Sequence, residues 1–152
     1  MNYWLMKAEE NVYPITLFQR EKTTYWDGVR NYQARNSMRD DMRKGDLFFF
    51  YHSNSKPTGI AGIGRIIKEG YPDHTAFDRK DVHYDPKSLA TNPRWYMVDV
   101  QYVKSAKRTI PLEVLKQNPK LRDMALFRQA QLSVQPVREA EWKLITGMKD
   151  WW

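Results

Sequence analysis

The chain contains no cysteine. That excludes disulfides, thiol nucleophiles and cysteine-ligated metal, and makes an intracellular, cytoplasmic location the simplest expectation. There is no apolar run of the roughly 18 residues that a membrane span needs. The opening MNYWLMKAEE lacks both the basic start and the apolar stretch of a signal peptide, and reads as a strand. No long charged or polar tract occurs, and 41% of residues are apolar, so a folded chain is expected. Its 152 residues suit a single domain, 1–152, with a sizeable core.

Catalytic signatures are also missing. The serines at 37, 53, 55, 88, 105 and 133 include none in a G-x-S-x-G elbow. There are three histidines, His52, His74 and His83, and no HExxH. A zinc set drawn from His74, His83 and Asp73 or Asp85 lacks tight ligand spacing. Asp78, Asp81 and Asp85 line one loop without readable magnesium geometry. GIAGIGR at 59–65 has no Walker lysine, so its glycines read as strand curvature or close approach. Neither metal nor cofactor is expected, and no enzyme.

What is present is positive charge and aromatic surface. Lys plus Arg number 25 against 18 Asp plus Glu, giving +7 and a pI near 9.6, a balance that favours polyanionic partners. The richest stretch is WDGVRNYQARNSMRDDMRKGDLFFFYHSN, from Trp26 to Asn54. Asp27-Gly28 marks a turn. Asn31 can cap a helix running to about Lys44, with Gly45 as its stop. Ala34, Met38 and Met42 make that helix's buried stripe, and Arg35, Arg39 and Arg43 run beside it. The period of two then sends Phe48 and Phe50 to one face of a strand over Asp46–His52, and Phe49 and Tyr51 to the other. Such a strand needs cover on both faces, as in a small barrel.

Other strands are expected over Tyr3–Lys7, Gly59–Ile67, Tyr96–Val103 and Leu132–Val134. Helical turns are expected over Ile15–Gln19, Pro111–Gln117 and Leu121–Phe127, and a last helix over Glu139–Thr146 buries Trp142 and Ile145. Tyr71 to Thr91 reads as one long loop, a length that usually carries function. No repeat and no strand–helix–strand rhythm is present. The fold class is α+β, a small curved or closed mixed β-barrel with short helices packed around it.

Trp26, beside the glycine turn, is the ring best placed to stack on a base. Asp27 can accept hydrogen bonds from an exocyclic amine, as a carboxylate does with cytosine N4. Ser53 and Asn54 can read the remaining edge. Arg30, Arg35, Arg39, Lys56 and Lys87 are candidate phosphate neutralisers.

Seven ordered blocks carry a resemblance that spans essentially the whole chain. They are Trp4-Leu5-Met6-Lys7, WDGVRNYQARN at 26–36, MRKGDLFFFYHSN at 42–54, GIAGIG, YPD at 71–73, PRW at 93–95 and LSVQPV at 132–137. Together they resemble the EVE domain, a family similar to the PUA, ASCH and YTH domains. The resemblance implies a PUA-like fold and recognition of modified bases in nucleic acid, 5-methylcytosine-type in DNA first. It implies a base pocket with Trp26 as a wall, the turn Asp27, Gly28, Val29, Arg30 and Asn31 around it, and Tyr51, His52, Ser53 and Asn54 opposite. Trp95 is implied at the rim, and Ser133 and Gln135 at the floor. Two departures from the family pattern stand out. Ala8 and Glu10 replace the usual serine and proline of the first block, and Ala130-Gln131 replace glycine and arginine. The expected partner is nucleic acid with modified bases, met by a monomer with no membrane association. Other readings remain: a module for modified RNA, a nucleotide-handling enzyme using Asp27, Asp46 or His52, and an adaptor with Trp151-Trp152 as its contact.

Overall fold

The computed structural model describes Met1–Trp152. Six strands form one mixed sheet: β1 (Tyr3–Glu9), β2 (Thr23–Trp26), β3 (Leu47–Ser53), β4 (Gly59–Pro72), β5 (Tyr96–Pro111) and β6 (Val134–Val137). Their spatial order is β2-β5-β4-β3-β1-β6. β1 and β3 run parallel, and every other pairing is antiparallel. The helices are short: α1 (Ile15–Glu21), α2 (Tyr32–Asn36), α3 (Leu112–Lys116), α4 (Ala125–Arg128) and α5 (Glu139–Thr146). The sheet keeps two edges, β2 and β6, so the barrel suggested by the sequence is not closed.

β3 sits inside the sheet and dictates the layering. Phe48, Phe49 and Phe50 are fully buried and Tyr51 nearly so. Phe48 and Phe50 enter one core with Trp4, Met6, Phe18, Trp26, Met38, Met42, Val98 and Val100. Phe49 and Tyr51 enter a second core with Leu5, Ile60, Ile63, Ile110, Trp142 and Ile145. Each buried phenylalanine stabilises by about 2–3 kcal/mol. In the first core Phe18 of α1 stacks on Phe50 at 5.3 Å. In the second, Trp142 of α5 is sandwiched between Phe49 at 4.1 Å and Tyr3 at 4.6 Å. Trp152 adds a further stacked ring over Phe49 and donates its indole N–H to the Ile145 carbonyl at 3.0 Å, so the chain end covers this core.

β4 and β5 are longer than the sequence suggests because bulges let them bend rather than stop. A register shift between Ile60 and Gly62 lets Ile60 and Ile63, three residues apart, both face the second core, while Ile66 faces the first. Gly64 has a distinct reason. A Cβ there would enter the Phe48 ring and crowd that of Phe18.

The basic segment also differs from expectation. Asn31 does cap α2, its side chain accepting the Ala34 N–H at 2.9 Å. The α-helix ends at Asn36, however, and a π-helical turn follows over Ser37–Asp41. Ala34, Met38 and Met42 stay fully buried through this change, and Gly45 supplies the positive φ, +97°, at the exit. Asp46 then closes the chain start. Its buried carboxylate accepts the Asn2 N–H, the Trp4 indole N–H and the Arg43 N–H, each at 3.0 Å.

Gly64→Ala is therefore expected to destabilise the protein by about 1–3 kcal/mol through overpacking, whereas Gly45→Asn, in open space, loses only about 1 kcal/mol to backbone strain at its positive φ. Urea unfolding of both variants measures the contrast.

Candidate nucleic-acid interface

The turn that follows β2 is fixed by a carboxylate remote in sequence. Asp73 is fully buried at the end of β4. One of its oxygens accepts the Gly28 N–H at 2.8 Å and the Arg30 guanidinium at 3.0 Å. The other accepts the Thr75 N–H at 2.9 Å and the Thr75 hydroxyl. Burial alone would push the Asp73 pKa up, but these donors outweigh it and hold it below the ordinary carboxylate value. Arg30 in turn donates to the His83 carbonyl from Nε (3.2 Å) and Nη2 (2.7 Å). The His83 ring packs on Gly28, whose φ is +77°, so closely that a Cβ would lie 2.6 Å from it. Thus 27–30 and the excursion 73–83 are locked face to face.

This lock presents Asp27. Its side chain is about one-third exposed, 3.9 Å from His83 Nδ1. Burial, with Asp73 and Asp81 nearby, raises its pKa above the ordinary carboxylate value. Trp26, at the end of β2, lies mostly in the first core, meeting Phe48 and Phe50 edge-on at 5.7 and 5.6 Å, with 8% of its surface exposed. Val29 is buried beside it. His52 also meets the Phe50 ring edge-on, at 5.3 Å. Burial lowers the His52 pKa, and its Nε2 accepts the Ile15 N–H at 3.3 Å, which makes Nδ1 the protonated nitrogen. Tyr13 completes this aromatic group at 6.2 Å from Phe50.

Not every residue picked out from the sequence joins it. Ser53 pairs with Glu9, and the Asn54 amide donates to Glu9 Oε1 at 2.6 Å, so both sit at the shared end of β1 and β3. Ser133 belongs to the same end, its carbonyl accepting the Lys7 N–H. Tyr51 does not: it lies on the opposite face of the sheet, 2% exposed, where burial pushes its hydroxyl up to about 12. Gln135 is fully buried, its amide donating to the Leu132 and Gln129 carbonyls. Trp95 lies on the outer flank of the turn, against Tyr32 and Arg30. Among the expected phosphate ligands, Arg30 is engaged by Asp73 and His83, and Arg39 by Asp40. Arg35 leans on Tyr32, while Lys56 and Lys87 stand on exposed loops. Asp46 and His52, named for an enzyme reading, are tied into the fold. The loop acids Asp78, Asp81 and Asp85 each accept a backbone N–H two residues on, as turn formers.

Sequence reasoning missed the partnership of Asp73 with Arg30, the packing role of Tyr13, and Lys7. The Lys7 ammonium is half-buried, donates to the Ala130 carbonyl at 2.6 Å and has its pKa lowered by burial. An Asp with Thr two positions later, as at 73–75, is the local signal of an Asx turn and was available. Nothing local marks the other partner.

Comparison with known proteins fits this frame. A family model for the EVE domain matches residues 2–148. The chain belongs to the EVE domain family. It is 48% identical to thymocyte nuclear protein 1 of Danio rerio over 97% of this chain and 71% of that one. A hypothetical protein from Leishmania major, 43% identical, superposes with a TM-score of 0.95 over 99% of this chain and 95% of its own. Human THYN1, solved in complex with DNA containing 5-methylcytosine, is 42% identical and superposes with a TM-score of 0.91 over 99% and 98% of the two chains. The architecture is PUA-like, and no helix is long and apolar enough to cross a membrane.

For this EVE domain Asp73→Asn is expected to cost about 2–3 kcal/mol at pH 7, the worth of a charge-assisted bond to a buried group. The Asp73 pKa is depressed in the folded state, so its contribution is full above the unfolded value near 3.8 and is lost as pH falls through the lower folded value. The gap between native and variant stabilities in urea should hold above about pH 4 and shrink progressively as pH falls below it.

Proposed function

We propose that the chain is a non-catalytic module that binds DNA carrying a modified base, 5-methylcytosine-type first. The observation that carries this reading is the locked turn at Trp26–Asn31. It offers a half-buried carboxylate acceptor at Asp27 beside a ring held edge-on by two phenylalanines. Asp27 accepts from the exocyclic amine of cytosine, and the surrounding aromatic surface rewards an added methyl. The human THYN1 complex with 5-methylcytosine DNA supports the ligand class. Taking a base out of the helix costs a few kcal/mol, roughly. One buried methyl returns about 1 kcal/mol, so a preference near fivefold over unmodified cytosine is the scale to expect.

Because Trp26 is largely core, Trp26→Ala removes both ring and packing, at about 3–5 kcal/mol of stability. Trp26→Phe and Asp27→Asn separate reading from folding. The test is fluorescence anisotropy at fixed low salt, with matched DNA and RNA oligonucleotides bearing cytosine or 5-methylcytosine. The native protein should prefer methylated DNA, and Asp27→Asn should remove most of its cytosine affinity while its melting temperature stays within a few degrees. Equal binding of methylated and unmodified DNA by the native protein would end this reading. A preference for the RNA series would move the partner to modified RNA.

A further inference from the structure

The outer flank of the locked turn carries a second assembly that the base site does not use. Tyr32, the first residue of α2, is 52% exposed. Its ring stacks on Trp95 at 4.9 Å with the planes 23° apart. The Arg35 guanidinium lies 4.8 Å from the Tyr32 ring centre and that of Arg30 lies 5.3 Å from Trp95. Arg35 donates Nη1 to the Arg94 carbonyl at 2.8 Å, and Nε and Nη2 to Asn36 Oδ1. Every one of its partners is neutral. It is a rigid cation without an ion pair, next to a partly exposed arginine, Arg94, whose own side chain has none either.

The long excursion before β5 is built to hold this surface. Asp85 Oδ2 accepts the Trp95 indole N–H at 2.6 Å, and its Oδ1 caps the turn that carries Lys87. The buried hydroxyl of Ser88 accepts the Arg94 N–H at 3.0 Å. Two adjacent residues, Arg94 and Trp95, are thereby set against α2 by side chains from one otherwise irregular loop. No nearby acid forms an ion pair with Arg35 or Arg94. Asp73 is paired with Arg30 and Asp40 with Arg39; Asp85 bonds only the neutral N–H groups of Trp95 and Lys87 and attracts Arg94 through space without an ion pair. Folded loops of this length seldom persist without use, and a preorganised guanidinium beside aromatic rings is a phosphate-docking arrangement.

We propose that the surface formed by Tyr32, Arg35 and Arg94, over the buried Trp95, is a docking track for a phosphodiester backbone. Arg35 and Arg94 each take a phosphate, Lys87 extends the track, and the exposed part of Tyr32 packs on the sugar. This rests on the reading of the chain as a nucleic-acid binder and adds the path of the strand beside the base site. Contacts to phosphate position without specifying bases. The track therefore supplies affinity and salt dependence, and leaves the choice of base to the turn at Asp27.

The experiment is a salt series, from 50 to 250 mM, of duplex binding for the native protein, Arg35→Gln, Arg94→Gln, the double variant, and, as a control, Arg122→Gln in the segment packed on the second core. Arg94→Gln cannot disturb folding through lost bonds, since only its backbone is bonded. Each track variant should flatten the slope of log Kd against log salt by about 0.9 and weaken methylated and unmodified duplexes alike, about fivefold at 100 mM. Arg122→Gln should leave the slope unchanged. Track variants with native slopes and affinities overturn the proposal, even where the native protein still prefers the methylated base. A slope change without any methyl preference would instead leave the track standing and remove the base reading. A native protein that binds no oligonucleotide overturns both.

Discussion

A strand apolar on both sides must be covered on both sides, and β3 imposes that condition on everything else. Phe48 and Phe50 demand one layer, Phe49 and Tyr51 another. Neither α1, with one fully buried residue, nor α5 can form a layer without the sheet. Helices this short have little stability of their own and persist by docking an apolar face. The two layers receive different work. The second is closed by stacked tryptophans from the C-terminal part of the chain. The first is closed by Trp26, whose exposed edge begins the candidate site. The ring that begins that site is thus also a wall of the core.

That double use explains the buried Asp73. A turn hanging from the core by one tryptophan would sample many conformations, and ordering it costs about 1–2 kcal/mol per residue. Asp73 and Arg30 meet that cost when the chain folds instead of when a ligand arrives. The pair is not an ordinary surface ion pair of small worth. Asp73 is fully buried and all its donors are internal, so losing one partner strands a charge. Gly28 is required by the same logic: its positive φ makes the turn, and its missing Cβ lets His83 close over it.

Local order was legible in the sequence to a useful depth. The alternation in β3 is the plainest case, because period two is a property of the backbone and every side chain obeyed it. The Asn31 cap, the buried stripe of Ala34, Met38 and Met42, and the span of α5 were equally local. The readings that changed were those decided by distant partners. The π-helical turn at 37–41 inserts residues without disturbing the buried stripe, so no pattern in the stripe betrays it. β4 and β5 outran expectation because bulges hide a change of face behind broken alternation. The expected pocket was split for a similar reason. Tyr51 and Trp95 are near Trp26 in motif order, yet strand parity sends Tyr51 to the other core and Asp85 draws Trp95 outward. EVE membership was readable from ordered blocks, whereas the pairing of Arg30 with Asp73 was written 43 positions apart.

The same separation has an energetic meaning. A methyl group contributes about 1 kcal/mol, whereas removing a base from its stack costs several times that, roughly. Selectivity at the turn therefore cannot sustain binding by itself; another term must carry the cost. Backbone charge is the term available, with 25 basic residues in the chain and a rigid, unpaired Arg35 beside the turn. Charge that recognises every sequence equally leaves the small methyl term undiluted as a ratio of affinities. A module that reads bases as proposed is expected to discriminate modestly and to depend strongly on salt, with the outer flank contributing to affinity and the turn to choice of base.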